Sequence, residues 1–324
     1  MIYSQEILIT EDPLIDKLLS EIRLVGEMNL LIEGESGVGK TPVARYANKV
    51  LTPENDIRPF VRINCAGLNR ERLQDEMFGH KRGAFTGADT DRTGHVELAQ
   101  GGDLFLDEIA DLDLHCQAEL LTFLDSGEYR KMGDATTRMS SCRIISATNK
   151  NLKEMVRSGI FRKDLYSRIS QFKTRIPPLR ERKKDIQPIM EHYIKGHYGY
   201  SKPYSSCILK LFLYLDWKEG NIRELRDAVT YMCYKSEGEE EIDLCHINPE
   251  LYRADIKAKE PSINNADDLS CAVTSIGFID YMERLEHGLL IELLKEEKSM
   301  RALARKIKLP HTTLQRKLKK YKLA

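Results

Sequence analysis

Apolar residues recur at helical spacing through residues 13–25, a run opened by Glu11, Asp12 and Pro13, which together make a helix start. A short apolar block at 28–33 then reads as a buried strand. Residues 60–65 alternate and are rich in β-formers, which predicts a second strand, and Leu68 to Phe78 follows as a helix. Residues 101–108 place three apolar side chains before two carboxylates, Asp107 and Glu108, the pattern of a buried strand that ends in charge. A helix is predicted over 115–124 and a further strand over 143–149. His115 is expected on the surface or in side-chain packing. Pro177 and Pro178 break the pattern, and the chain beyond reads as helices over 185–195, 206–215 and 221–234, with Trp217 expected in their core.

Residues 237–278 are mixed, with an acidic run at Glu239-Glu240-Glu241, and read as a linker. Helical spacing returns over 281–294. A Ser299-capped helix to Ile307, a turn at Lys308-Leu309-Pro310-His311 and a helix over 312–321 then make a helix-turn-helix. The expected division is 1–175 for an α/β subdomain, 176–236 for a small helical lid, 237–278 for the linker and 279–324 for the helix-turn-helix domain.

The chain has 324 residues, 31% of them charged and 41% hydrophobic, ordinary for a globular protein, and its formal net charge is zero. No stretch is apolar enough to cross a bilayer, and Met1-Ile2-Tyr3-Ser4 does not open a signal peptide. The 7 cysteines stand singly, which suggests neither a zinc site nor a disulfide framework and fits a reducing cytoplasm. Charge is local. The stretch from Lys298 to Lys322 is dense in Lys and Arg and holds no Asp or Glu, a footprint for a phosphate backbone. Arg301, Arg305, His311, Thr312, Thr313, Gln315, Arg316 and Lys317 are the candidate DNA contacts, those at the start of the last helix being placed to read base edges.

The chemistry concentrates in the first half. Gly34-Glu35-Ser36-Gly37-Val38-Gly39-Lys40-Thr41 matches G-x-x-x-x-G-K-[ST], with a strand before it and a helix after it. Such glycines let backbone N–H groups curl around phosphate oxygens at a helix N-terminus. Lys40 is expected to reach the β- and γ-phosphates of ATP and Thr41 to bind Mg2+. Asp107 is expected to hold the metal and Glu108 to polarise the attacking water, the parts phosphoryl transfer needs. Between these motifs lies Gly83-Ala84-Phe85-Thr86-Gly87-Ala88, which has neither helical nor strand periodicity and reads as a mobile loop with an apolar, polar-tipped end.

GAFTGA inside a nucleotide-binding engine resembles the sigma-54-dependent transcription activators, the bacterial enhancer-binding proteins of the AAA+ class, and the motif positions spread that resemblance over nearly the whole chain. It implies a P-loop AAA+ parallel-sheet domain of α/β class, a helical lid and an all-α helix-turn-helix domain. By the same resemblance, Asn64 restrains the catalytic Glu108, beside a second reading in which it caps the start of the helix that follows, and Asn149 (or Thr148) contacts the γ-phosphate or the water. Arg162 and Arg168 are arginine fingers inserted into a neighbour's site, and Arg223 reaches the nucleotide from the lid. The implied partners are sigma-54 RNA polymerase holoenzyme, touched by residues 83–88, upstream enhancer DNA, and further copies of the chain in a homo-oligomeric ring, expected to be a hexamer.

Three departures stand out. Thr41 replaces the family's usual Glu. Trp217-Lys218-Glu219-Gly220-Asn221 has one residue more than the family's Trp-Pro-Gly-Asn and lacks its proline. No sensing domain precedes the ATPase, which implies constitutive activity or control by a separate regulatory protein. The tail looks closer to the tyrosine-repressor type than to the Fis-like one. Two rivals stay open: a DNA-binding regulator whose ATPase only controls oligomerisation, and a remodelling ATPase acting on another protein.

Overall fold

The computed structural model describes residues 8–53 and 56–248, with Leu314 and Leu318. The expectations for 279–324, including every candidate DNA contact, lie outside the described residues. The chain divides into two compact units, one formed by Met1–Lys202 with Asp216–Tyr234 and the other by Pro203–Leu215 with Lys235–Ala324.

The first unit opens with α1 (Pro13–Arg23), capped by the Asp12 side chain, then β1 (Leu30–Glu33) and α2 (Lys40–Val50). Next come β2 (Phe60–Asn64) and α3 (Arg70–Phe78). The helix expected from Leu68 starts later because Asn69 caps it, accepting from the Arg72 N–H at 3.0 Å. A small antiparallel pair, β3 (Gly79–His80) and β4 (Arg92–Thr93), brackets residues 81–91. The one-turn helix α4 (His95–Leu98), β5 (Asp103–Asp107) and α5 (Leu114–Ser126) follow. A second hairpin, β6 (Glu128–Tyr129) with β7 (Arg138–Met139), precedes β8 (Arg143–Thr148), α6 (Leu152–Arg157), α7 (Lys163–Ile169) and β9 (Phe172–Arg175). Beyond the prolines lie α8 (Ile186–Tyr198), α9 (Ser206–Tyr214) and α10 (Ile222–Lys235). Of these, α9 belongs to the second unit, where Ser205 N–H donates to Ile242 O at 2.9 Å.

The five long strands form one parallel sheet in the order β2-β5-β8-β1-β9. Side chains alternate across it, so the central strands β1, β5 and β8 each feed two cores. Leu31, Leu104, Leu106 and Ile144 enter a cluster with α5 and α7 residues such as Leu120 and Leu165. Leu30, Ile32, Phe105 and Ile145 enter the other, with Ile15, Leu18 and Ile22 of α1 and Val43 of α2. Both faces are therefore covered, the condition under which parallel sheets persist.

At the N-terminal edge of the sheet the charges are buried and matched. Arg143 donates from Nε to Asp103 Oδ1 at 2.7 Å and from Nη2 to Oδ2 at 3.0 Å. Asn48 and Arg58 also donate to Asp103, at 2.7 and 3.1 Å, and Arg143 caps the carbonyls of Gly26 and Ala47. The opposite edge gathers the strand ends Glu33, Asn64, Asp107 and Thr148, all at the C-terminal side where α/β sheets bind ligands.

Among the described residues Cys65, Cys116, Cys142 and Cys245 form no disulfide, and no helix is long and apolar enough to cross a membrane. His115 is exposed and Trp217 is fully buried in the first unit, as expected for both.

Candidate phosphate site and its projecting loop

The turn from β1 into α2 is built by glycine. Gly37 has φ 76° and Gly39, the residue that caps α2, has φ 101°, conformations an L side chain resists. A Cβ on Gly37 would stand 2.0 Å from Gly220 O, so no other residue fits there. Gly34 N–H donates to Thr148 O at 3.1 Å, tying the loop to β8.

Lys40 opens α2 with its ammonium tucked inward. Its Nζ donates to Gly34 O at 3.1 Å and Glu35 O at 3.3 Å, and Glu108 Oε1 lies 3.7 Å away. Burial lowers the Lys40 pKa, and the charges of Glu108 and Asp107 oppose that shift. Thr41 stands beside it in the first turn of α2, half-buried.

Asp107 ends β5 buried, and Arg62 donates to its Oδ2 at 2.7 Å. Glu108 follows at φ 53°, ψ 46°, a left-handed conformation that costs a non-glycine residue about 1–3 kcal/mol. The strain turns its carboxylate back toward Lys40. Asn64 pairs in register with Asp107, but its Oδ1 accepts from the Ala66 N–H at 3.1 Å, so its side chain caps a turn while Glu108 is held by Lys40. Thr148 is buried at the end of β8, with Asn149 exposed directly after it.

The segment beyond β9 straps the phosphate turn from outside. Arg180 grips Glu35 with two bonds, 2.9 and 2.6 Å. Asn221 donates to Glu35 Oε2 at 3.2 Å and Ser36 O at 3.1 Å, accepts from Leu179 N–H at 2.8 Å, and takes φ 51° to do so. Ile222 N–H reaches Gly37 O at 3.1 Å, and Arg223 Nη1 lies 3.4 Å from Ser36 Oγ. The extra residue before Asn221 is thus absorbed without moving Arg223 away from the phosphate turn. Glu35, expected among the nucleotide contacts, spends its carboxylate on Arg180 and Asn221. Arg182, also buried, donates to Val38 O and pairs with Asp185, which in turn accepts from Thr10 Oγ1 and the Glu11 and Asp12 N–H groups.

The Arg180 guanidinium holds the Glu35 carboxyl down at about 2, from an ordinary 4.5. A depressed value means this contact stabilises fully above about pH 4.5 and fades as the pH falls toward 2. The gap in melting temperature between the parent and Glu35→Gln should therefore close over that window, while Arg180→Ala should flatten it at every pH.

Arg162 and Arg168 sit at the two ends of α7. Arg162 is exposed and pairs with Asp164 at 2.8 Å; Arg168 donates to Leu124 O at 3.0 Å and lies 3.4 Å from Asp125. Among the described residues neither is bonded to the phosphate turn of its own chain.

Residues 83–88 project between β3 and β4. The turn closes with Gly83 N–H donating to Ala88 O at 2.8 Å and Ala88 N–H to Phe85 O at 3.0 Å. Ala88 is buried, whereas Phe85 (43% exposed) and Thr86 face outward. The base is braced by Lys81 on Asp91 at 2.6 Å, by Met132 exchanging bonds with Gly79 and Lys81, and by the His80 ring edge on Phe85 at 5.0 Å. The β6–β7 turn leans on the loop so closely that a Cβ on Gly133 would stand 2.8 Å from the Ala84 methyl. A polar-tipped turn on a braced stalk thus stands in the same α/β unit as the glycine turn before α2. Residues 8–175 fit the sigma-54 interaction domain.

The chain belongs to the sigma-54 interaction domain family. Residues 180–263 match the AAA+ ATPase lid domain and 275–324 a helix-turn-helix domain. A Geobacillus stearothermophilus protein named limonene hydroxylase is 35% identical over 324 residues, covering 97% of this chain and 56% of that one. The DNA-binding transcriptional regulator NtrC of Rhizobium meliloti is 42% identical over 206 residues, covering 63% and 42%. The crystal structure of NtrX from Brucella abortus in complex with ATP superposes with a TM-score of 0.67 at 26% identity, covering 97% of this chain and 69% of that one. The chain spans about half the length of the curated relatives it matches, 56% of the Geobacillus protein and 42% of NtrC.

Several parts of the candidate site, in the sigma-54 interaction domain and in the lid match beyond it, carry little signal in the sequence. Arg180 lies in a segment whose prolines indicate only a break, and Asn221 indicates only a helix start. Arg62 shares its face of β2 with Asn64, a period-two signal that does place it beside the site. The braces at 128–139 carry no such signal, because strands of two residues have no period to detect.

Proposed function

We propose that this chain is an ATP-driven activator of sigma-54 RNA polymerase: it hydrolyses ATP and uses the cycle to work residues 83–88 against the holoenzyme until promoter DNA opens. The observation that carries the proposal is that one strand, β5, delivers Asp107 and Glu108 to the buried Lys40 while the neighbouring β3–β4 pair thrusts Phe85 and Thr86 into solvent.

The residues fit the nucleotide and its metal. A Cβ is excluded at Gly34 and Gly37 by Val38 and Gly220, the positive φ of Gly37 and Gly39 turns the backbone into the tight curve a phosphate needs, and Asp107 and Thr41 offer the hard oxygens that Mg2+ takes. Bound there, Mg2+ with ATP supplies a polarised γ-phosphate and charge neutralisation. Lys40 gives up the Gly34 and Glu35 carbonyls for phosphate oxygens, which releases Glu108 to polarise a water. Asn64, two residues before Ala66 and level with Asp107, and Asn149, after β8, border the place where that water stands. Arg223 moves a short way from Ser36 to the phosphates. Arg162 and Arg168 complete a neighbouring copy's site, where such a finger contributes roughly 10³–10⁵ in rate; copies joined head to tail in this way close into a ring, in this case a hexamer. Arg301, Arg305, His311, Thr312, Thr313, Gln315, Arg316 and Lys317 hold upstream DNA from the helix-turn-helix domain. The work is done in the cytoplasm.

Thr86→Ala tests the loop. Its hydrolysis rate stays within about twofold of the parent, because Thr86 touches nothing in the phosphate site, while ATP-dependent capture of sigma-54 is lost. Capture and promoter activation at parental levels in that variant would overturn the loop assignment. Lys40→Ala tests the cradle, with fluorescent-nucleotide binding expected to disappear.

A further inference from the structure

Strand β2 carries a charge to which the proposed cycle gives no role. Arg62 and Asn64 share one exposed face of the strand, and the register sets Arg62 against Phe105 and Asn64 against Asp107. Arg62 therefore leans two residues along the sheet to place Nη2 2.7 Å from Asp107 Oδ2. The pair is lopsided: the Asp107 side chain is 12% exposed and that of Arg62 46%. A carboxylate this buried needs a positive partner, and an exposed arginine is one that can leave without stranding its own charge. The second acid is matched alike, Glu108 lying 3.7 Å from Lys40. Each carboxylate at the end of β5 is thus neutralised by a cation belonging to the chain itself.

We propose that Arg62 is a displaceable stand-in for the divalent cation. It occupies the Asp107 oxygen, gives it up when the cation arrives with nucleotide, and returns when the cation leaves with product. The inference rests on the reading of Asp107 as the cation's ligand. A guanidinium and a divalent ion on one carboxylate repel each other and compete for its charge, so the ion binds Asp107 more weakly while the pair is intact. For a half-exposed ion pair that competition weakens cation binding by up to about fivefold. Arg62 is in this sense a positioning residue: it acts on Asp107 and touches neither the water nor the phosphate.

The test uses the full chain and Mn2+ as the probe, titrated against protein saturated with a non-hydrolysable ATP analogue, with free Mn2+ read by electron paramagnetic resonance. Arg62→Ala and Arg62→Gln should each bind Mn2+ about threefold to fivefold more tightly than the parent, and Arg62→Lys, which keeps the charge, should lie between them. Metal-free binding of a fluorescent nucleotide should be the same in all four proteins. Unchanged or weaker Mn2+ binding in both neutral variants overturns the proposal. Asp107→Ala separates the two layers: if it binds Mn2+ as the parent does, the ligand assignment itself fails, whereas if it loses Mn2+ while Arg62→Ala stays at the parental value, only the role of Arg62 fails.

Discussion

Glu108→Gln should bind ATP as tightly as the parent chain and hydrolyse it about 10²–10⁴-fold more slowly. The substitution keeps the size and shape of the side chain and removes only its charge, and with it the ability to draw a proton from water. The fold supports so specific a loss. Glu108 is fixed by the last residues of β5 in a left-handed conformation, φ 53° and ψ 46°, that glutamine can share. Its ion-pair partner among the described residues, Lys40, keeps its carbonyl contacts with Gly34 and Glu35 in the variant. Binding by fluorescent nucleotide and turnover by phosphate release separate the two effects. Turnover within about fivefold of the parent would remove Glu108 from the reaction and leave the site as a nucleotide-binding switch.

Asp103→Ala should cost about 3–5 kcal/mol, because it strands Arg143 in the protein interior with its charge uncompensated. In a domain of this size that lowers Tm by roughly 6–20 °C. The side chains of Asp103 and Arg143 are 0% and 2% exposed, and Asn48 and Arg58 lose an acceptor in the same step. Removing both ends of the pair, as in Asp103→Leu with Arg143→Met, should cost less than Asp103→Ala alone, since Arg143 is then gone and Arg58 keeps its pair with Glu27. Thermal melting of the double variant, of Asp103→Ala and of the singles Asp103→Leu and Arg143→Met decides this, and a double variant whose cost is the sum of its two singles would show that the pair is not coupled.

How far the sequence could be read depended on the range of the interactions. The β5 strand is legible because three apolar residues running into Asp107 and Glu108 have the pattern of a buried strand that ends in charge. The Gly34–Thr41 turn was legible because its spacing is local, and α10 because its apolar stripe repeats. The edge strand β9 was not found, since Phe172-Lys173-Thr174-Arg175 is short, polar and paired on one side only. Contacts that join distant segments left even less trace. Arg180 meets Glu35 across 145 positions of sequence, and Arg62 meets Asp107 across 45. In each case an ordinary charged residue becomes informative only once the sheet has brought it to its partner. Asn64 shows the converse: its position at the strand end was correct, yet in this structure its side chain caps a turn, a choice set by local hydrogen bonding that no spacing rule distinguishes.

In the proposed cycle, hydrolysis between Lys40 and Glu108 is delivered through Phe85 and Thr86 to the holoenzyme. Permanganate footprinting of a target promoter, reconstituted with sigma-54 RNA polymerase and the full chain, tests it most directly. The account predicts melted DNA at the start site with ATP, and duplex DNA with a non-hydrolysable analogue or with the Thr86→Ala protein. Equal melting with the analogue, or with polymerase carrying a different sigma factor, would contradict it.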